Sequence, residues 1–107
     1  MENETPLIQV FGSNPVMKVL DFLISFQLFD YPLTEIARKS EVSYSTLQTF
    51  WSRLEMNKIV IKTRRIGKSD YYKLNISNPF VKNLIKLDWI LAKRNALPEA
   101  EAQRIPA

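Results

Sequence analysis

Hydrophobic and polar positions along this chain change between the 3.6-residue period of helices and the two-residue period of strands. The helix-type spacing predicts four helices, at about 15–26, 34–40, 44–56 and 79–96. Between the last two, residues 59–65 and 70–74 carry β-branched and aromatic side chains on either side of a turn at Gly67-Lys68-Ser69. This order predicts a helix-turn-helix followed by a β-hairpin, which is a winged helix, in a mostly helical α+β domain.

Capping residues support the predicted helix starts. Asn14-Pro15 and Asn78-Pro79 each join an amide that can bond free backbone N–H groups to a proline that has no N–H of its own. Thr34 and Ser43 are expected to cap the two helices of the helix-turn-helix. Leu33, just before Thr34, is a candidate for a short extra strand. Asn57 is expected to take the left-handed conformation that ends the helix 44–56.

The first predicted helix is apolar around most of its circumference, because its few polar residues form one narrow stripe. Such a helix must be covered on most sides. We therefore expect a second subunit to supply part of the cover, in a homodimer built from the first and last helices. The candidate dimerisation residues are Val16, Leu20, Leu23, Phe80, Leu84, Leu87 and Leu91.

Four segments follow from this pattern: a flexible N-terminal arm (1–9), a winged-helix DNA-binding domain (10–76), a C-terminal packing and dimerisation helix (77–97) and a flexible tail (98–107). The apolar run 7–11 is open to two interpretations, a small strand or an arm on a partner subunit. No apolar stretch is long enough to cross a membrane, so a cytoplasmic, nucleoid-associated protein is expected.

Two residue types are missing from the 107 residues, because the chain has neither Cys nor His. Disulfides, Ser-His or Cys-His catalysis and the usual zinc ligands are therefore excluded. The chain also has only two glycines, which is too few for a glycine-rich phosphate-binding loop. We expect no enzyme activity, no metal and no cofactor.

The positive charge is concentrated in the predicted winged helix. Residues 34–75 hold nine cations against four anions, a larger excess than the +4 of the whole chain. A basic surface of this kind favours a polyanionic partner.

Two groups of residues are candidates for DNA binding. Hydroxyl and amide groups on the 44–56 helix can bond base edges and phosphates, and cations on the hairpin can reach the flanking backbone or a minor groove. The candidates are Ser43, Tyr44, Ser45, Thr46, Gln48, Thr49, Arg53, Lys62, Arg64, Arg65 and Lys68. The alternatives are ordinary solvated helix residues and a hairpin whose charge only protects an edge strand from aggregation.

The runs 42–47, 54–55 and 59–60 resemble the recognition-helix pattern of MarR- and ArsR-like winged-helix regulators. The runs 11–16, 28–31, 63–67 and 78–82 are similar to small archaeal winged-helix transcription regulators. The resemblance implies a transcription regulator that binds double-stranded DNA. One departure is Asn57-Lys58, where such proteins usually have a glycine.

Two other functions fit a winged helix. One is a protein-contact module within a transcription, replication or segregation assembly. The other is a nonspecific, chromatin-like DNA binder. Three cations near the tip of the hairpin, Arg64, Arg65 and Lys68, favour nucleic acid over a protein partner.

Overall fold

Five helices and three short strands make up residues 5–96, the part of the chain that this computed structural model describes. In chain order they are α1 (Pro6–Phe11), α2 (Pro15–Ser25), β1 (Tyr31–Pro32), α3 (Leu33–Ser40), α4 (Tyr44–Met56), β2 (Val60–Ile66), β3 (Ser69–Leu74) and α5 (Pro79–Ala96). The winged-helix order predicted from the sequence is confirmed. The predicted tail, 98–107, lies outside the described residues.

Side-chain caps start three helices where the sequence predicted them. The Asn14 Oδ1 accepts a hydrogen bond from the N–H of Met17 at 3.0 Å, at the start of α2. The Ser43 Oγ accepts from the N–H of Thr46 at 3.2 Å, at the start of α4. At the start of α5, the Asn78 Oδ1 accepts from Phe80 N–H. Each cap satisfies a backbone donor that has no partner inside its helix.

The start of α3 differs from the prediction. Thr34 does not cap it; the helix begins at Leu33, and the preceding Pro32 makes no side-chain cap bond. The reason is that Tyr31 and Pro32 are extended and pair with β3 as the short strand β1. The extra strand therefore lies just before Leu33 and does not include it.

Two helix ends use the same left-handed turn. After α3, Glu41 has φ 60° and the N–H of Val42 bonds to the carbonyl of Ala37 at 2.9 Å. After α4, the residue with positive φ is Lys58 (58°), whereas Asn57 has φ −88°. The prediction for Asn57 was wrong because the left-handed residue of this motif stands one position beyond the cap.

Lys58 has a Cβ and would not favour this conformation by itself. Its carbonyl, however, accepts hydrogen bonds from the carboxamides of Asn75 and Asn78, both at 2.9 Å. These bonds tie the end of α4 to the start of α5 and hold the turn without a glycine.

Residues 6–9 of the predicted flexible arm belong to a helix. The Thr5 Oγ1 accepts a hydrogen bond from the N–H of Ile8 and donates one to Asp21 of α2 at 2.8 Å. Leu7 is fully buried, and α1 packs against both α2 and α5. The expected arm or strand over 7–11 is therefore replaced by a docked helix, because its apolar side chains cover the apolar surface of α2.

The sheet is antiparallel with strand order β1-β3-β2. Its hairpin closes with a two-residue loop, Gly67-Lys68, and Gly67 has φ 61°. A positive φ at the first loop residue matches the twist of the flanking strands and is easiest for glycine. β2 and β3 together form the wing.

The hydrophobic core lies where α2, α3 and α4 meet the sheet. Its most deeply buried side chains include Leu23, Ile36, Leu47 and Leu74. Much of the apolar circumference of α2 is thus covered within its own chain, by α1, α3, α4 and β3, whereas Val16 and Met17 are only partly buried. Within residues 5–96, no helix combines the length and the apolar character needed to cross a membrane.

Candidate nucleic-acid interface

Several hydroxyl groups at the start of α4 are used by the helix itself. Besides capping the helix, Ser43 donates a hydrogen bond from Oγ to the Thr46 Oγ1 at 2.8 Å. The Thr49 Oγ1 donates to the Thr46 carbonyl at 2.6 Å. These three side chains are exposed or half-exposed, but their present bonds hold the helix start in shape.

Gln48 differs from them, because its side chain is exposed and has no hydrogen-bond partner among the described residues. Tyr44 and Ser45 are also exposed, one turn closer to the helix start. The buried side of α4, formed by Leu47, Phe50 and Trp51, faces the core. The outer face therefore presents one carboxamide that can form two bonds, with hydroxyl groups beside it.

Three of the four predicted wing cations lie against carboxylates of their own chain. The Lys62 Nζ is 3.5 Å from the Asp70 Oδ1, and the Arg65 Nε is 3.8 Å from the same oxygen. The Arg64 Nε is 2.9 Å from the Asp30 Oδ2. Only Lys68, in the hairpin loop, has no carboxylate partner within residues 5–96.

Arg64 does not lie at the tip of the wing, where the sequence placed it. It pairs with Tyr71 of β3, three positions before the loop on its strand, and its guanidinium is bound to Asp30. The carboxylate is exposed by only 18%, and the guanidinium by 56%. Hydrogen bonds from Thr63 and from Arg64 hold the pKa of Asp30 below its ordinary value, so that its charge is retained.

The start of α4 and the tip of the wing face each other across a cleft of about 220 Å³. Tyr44 forms one side of this cleft, Lys68 and Ser69 form the other, and Tyr72 lines it between them. The two predicted DNA-binding elements thus share one face of the molecule.

Arg53 stands apart from this face. It lies near the end of α4, on a cavity of about 490 Å³ that Leu20 of α2 and Phe80 of α5 also line. The structure therefore does not bring Arg53 together with the cations of the wing.

Four of the dimerisation candidates surround one apolar groove. Leu20, Phe80, Leu84 and Leu87 line it together with Phe11 of α1, and its volume is about 360 Å³. Phe80 is the most exposed of them, at 58%.

The other three candidates lie elsewhere. Val16 lines the neighbouring cavity beside Arg53, and Leu91 is half-buried against the core. Leu23 is exposed by only 2% in the core of its own chain, so it cannot contact a second subunit.

Sequence reasoning missed the two aspartates that lie against the cations of the wing, Asp30 and Asp70. Asp70 is the single anion of 62–70 and stands close to its partners in the hairpin, so pairing of opposite charges across the two strands was a usable signal. Asp30 is 34 positions from Arg64, and no local pattern connects them.

Comparisons with known proteins support the fold. No protein-family model matches the chain, and no curated protein matches it. Among solved structures, the crystal structure of the AntR antimony-specific transcriptional repressor is similar, with a TM-score of 0.59 and 19% identity over 83% of this chain and 76% of that chain. A double mutant of ZitR from Lactococcus lactis is similar in its apo form, with a TM-score of 0.53 and 15% identity over 90% and 79% of the two chains.

A second structure of the same ZitR mutant has a TM-score of 0.52 and 14% identity, over 80% of this chain and 64% of that chain. Identities this low show a shared fold, so the chain is a winged helix of the kind found in these proteins. The narrower resemblance to archaeal regulators stays a prediction.

Proposed function

We propose that this chain is a DNA-binding transcriptional regulator, with helix 44–56 in the major groove and wing 62–73 on the flanking backbone or minor groove. The observation that supports the proposal is the cleft between the start of α4 and the tip of the wing, with Lys68 on it and Gln48 one turn beyond Tyr44 along α4. Neither Gln48 nor Lys68 has a partner in residues 5–96. A carboxamide without a partner on a helix that fits the major groove, and an ammonium group without a partner at the tip of the wing, are the groups that base reading and phosphate binding need.

Gln48 is the residue proposed to read sequence. A glutamine carboxamide can donate to N7 and accept from N6 of one adenine, which distinguishes that base from the other three. Ser45 and Tyr44, closer to the helix start, are proposed to bond phosphate or base edges. Ser43, Thr46 and Thr49 contribute chiefly by keeping the first turn in shape, as their bonds in the structure indicate.

A homodimer through the first predicted helix, α2, and the last helix, α5, is part of the proposal. The groove beside Phe80 is apolar and open, and the neighbouring Phe11 of α1 is exposed by 49%. Exposed apolar patches of this kind mark contact sites between proteins. In such a dimer, two copies of α4 about 34 Å apart would read two half-sites of a palindrome.

One similar repressor is specific for antimony, but this chain has neither Cys nor His. Soft metals and metalloids are bound chiefly through thiolates. In addition, no group of three or more Asp or Glu that could hold a metal ion occurs in residues 5–96. We infer that any signal this regulator responds to is not a thiolate-bound metal.

Fluorescence anisotropy with a labelled random-sequence duplex at several salt concentrations tests DNA binding. The logarithm of the affinity should fall linearly with the logarithm of the salt concentration, by about 0.9 for each neutralised phosphate. Selection from a random DNA pool then tests sequence reading, and sedimentation equilibrium tests the dimer.

No binding at low salt would contradict the proposal and favour a protein-contact module. Equal affinity for every duplex would favour the nonspecific DNA binder. A mass equal to one chain across the concentration range, with and without DNA, would contradict the dimer.

A further inference from the structure

Asp30 lies in the loop between α2 and β1, and its carboxylate binds two consecutive residues of the wing. The Asp30 Oδ2 accepts hydrogen bonds from the Thr63 Oγ1 at 2.5 Å and from the Arg64 Nε at 2.9 Å. The Asp30 Oδ1 accepts from the Arg64 Nη2 at 3.1 Å. The contact with Arg64 is the parallel, two-bond pairing that is strongest between a guanidinium and a carboxylate.

A β-bulge allows both residues to reach Asp30. In the hairpin, Lys62 pairs with Tyr72 and Arg64 pairs with Tyr71, so Thr63 is an extra residue on β2. Neighbouring side chains on a regular strand point to opposite faces. The bulge interrupts this alternation, and Thr63 and Arg64 both contact the same carboxylate.

Arg64 is held on a second side as well. Its guanidinium carbon lies 4.9 Å from the centre of the Tyr71 ring, within the range of a cation–π contact. Asp30 occupies the side of the guanidinium formed by Nε and Nη2, so a phosphate could take the two-bond contact on that side only by replacing Asp30, whose mostly covered carboxylate would then lose two hydrogen bonds. Lys68 at the tip meets no such competition.

We propose that Asp30, Thr63 and Arg64 form a latch that fixes the wing against the body of the protein, and that Arg64 is a positioning residue in DNA binding. The inference rests on the proposed function and gives Arg64 and Lys68 different roles in DNA binding. Arg64 sets the position of the hairpin, whereas Lys68 contacts phosphate. A wing freed from the latch would lose affinity because it must be ordered when DNA binds.

Four single variants test this division by anisotropy at several salt concentrations. Asp30→Asn and Arg64→Ala open the latch. Glu35→Gln and Arg38→Ala remove the same charges from a matched pair on α3, whose shortest contact is 2.7 Å. Both latch variants should weaken DNA binding by roughly three- to tenfold. The dependence of their affinity on salt should have the same slope as that of the control variant with the same change of charge. The double variant Asp30→Asn/Arg64→Ala should bind DNA no more weakly than either latch variant alone, because each single change already opens the latch.

The opposite pattern would overturn the latch. If Arg64 contacts phosphate, Arg64→Ala lowers the salt slope by about one unit more than Arg38→Ala does. Asp30→Asn then strengthens binding, because it removes a competitor for the guanidinium.

A second readout does not need DNA. Hydrogen exchange of the free protein should be several-fold faster in Asp30→Asn at the amides of β2 that bond to β3, and unchanged there in Glu35→Gln. Equal exchange in Asp30→Asn and the wild type would overturn the latch whether or not the protein binds DNA. Failure of the wild type to bind DNA, with faster exchange in Asp30→Asn, would instead contradict only the proposed function.

Discussion

The outer face of α4 and the wing reach the same side of the molecule with different kinds of side chain. The helix face presents uncharged groups, and Gln48, which dominates it, has no partner within residues 5–96. The wing is rich in cations, but three of its four predicted contact residues lie against Asp30 or Asp70. The number of charges in a segment is therefore a poor measure of the charge that a ligand can reach.

Under the proposed function, this difference predicts separate tasks for the two regions. A residue without a partner can form a new contact at little cost, whereas a paired cation must first lose the partner it has. We therefore expect changes on α4 to alter which sequence is bound, and changes in the wing to alter how strongly any DNA is bound.

The largest expected effect is at Gln48. Gln48→Ala should weaken binding to the preferred site by about ten- to a hundredfold, since one two-bond contact to a base discriminates by about 1–3 kcal/mol. Binding to random DNA should change little, because that binding depends on phosphates. Anisotropy against the selected site and against a scrambled duplex measures both values.

Ser52→Ala is the matched control on the same helix, because Ser52 is exposed one turn further along and was not predicted to contact DNA. An equal loss on both duplexes in Gln48→Ala would show that Gln48 contributes to affinity without reading sequence. The expectation that α4 reads sequence, whereas the wing contributes only affinity, would then be wrong for α4.

A smaller effect separates the free cation of the wing from a paired one. Lys68→Gln should lower the salt slope by about one unit on every duplex, because Lys68 has no carboxylate partner in the described residues. Lys62→Gln removes the same charge from a residue 3.5 Å from Asp70, so its slope should change by less than half as much. Equal changes in both variants would show that pairing within the wing does not limit its contact with DNA.

Much of the fold could be predicted from the sequence because its signals are local. Asn14, Ser43 and Asn78 cap the helices that they were predicted to start. The missed helix α1 has the same signal, since Thr5 caps it and Pro6 is its first residue. Thr5-Pro6 is the same kind of helix start as Asn14-Pro15 and Asn78-Pro79. It was missed because the apolar run that follows Pro6 is short and fits a strand as well as a helix.

The parts that could not be predicted depend on contacts between distant residues. No residue near Leu23 in the sequence indicates that α1 and α3 cover α2. This cover buries Leu23 in the core of its own chain. Likewise, no local pattern brings Asp30 to Arg64 or places the bulge at Thr63. The sequence therefore predicted which helix and which hairpin form the candidate site. It did not predict which of the cations in the hairpin are paired with carboxylates.

The smallest expected effect is on stability and distinguishes the carboxylate of Asp30, which binds the wing, from that of Asp88 on α5. Hydrogen bonds from Thr63 and Arg64 lower the pKa of Asp30, so its contribution to stability is present above about pH 4 and is lost as the pH falls further. Asp88 of α5 has a raised pKa, because of burial first and of the charge of Asp21 second. Its contribution is greatest at acid pH and is lost as the pH rises through its pKa.

Urea unfolding of Asp30→Asn and Asp88→Asn between pH 3 and pH 7 measures these contributions. At pH 7, Asp30→Asn should be less stable than the wild type and Asp88→Asn more stable, each by at most about 1 kcal/mol because both carboxylates are partly screened by solvent. The difference for Asp88→Asn should shrink as the pH falls through the raised pKa of Asp88 toward about 4, and the difference for Asp30→Asn should shrink only as the pH falls further, because the pKa of Asp30 is lowered. A destabilised Asp88→Asn at pH 7 would show that the α5 carboxylate is held by a favourable contact, and a neutral Asp30→Asn would show that the wing's ion pair contributes nothing to the folded state.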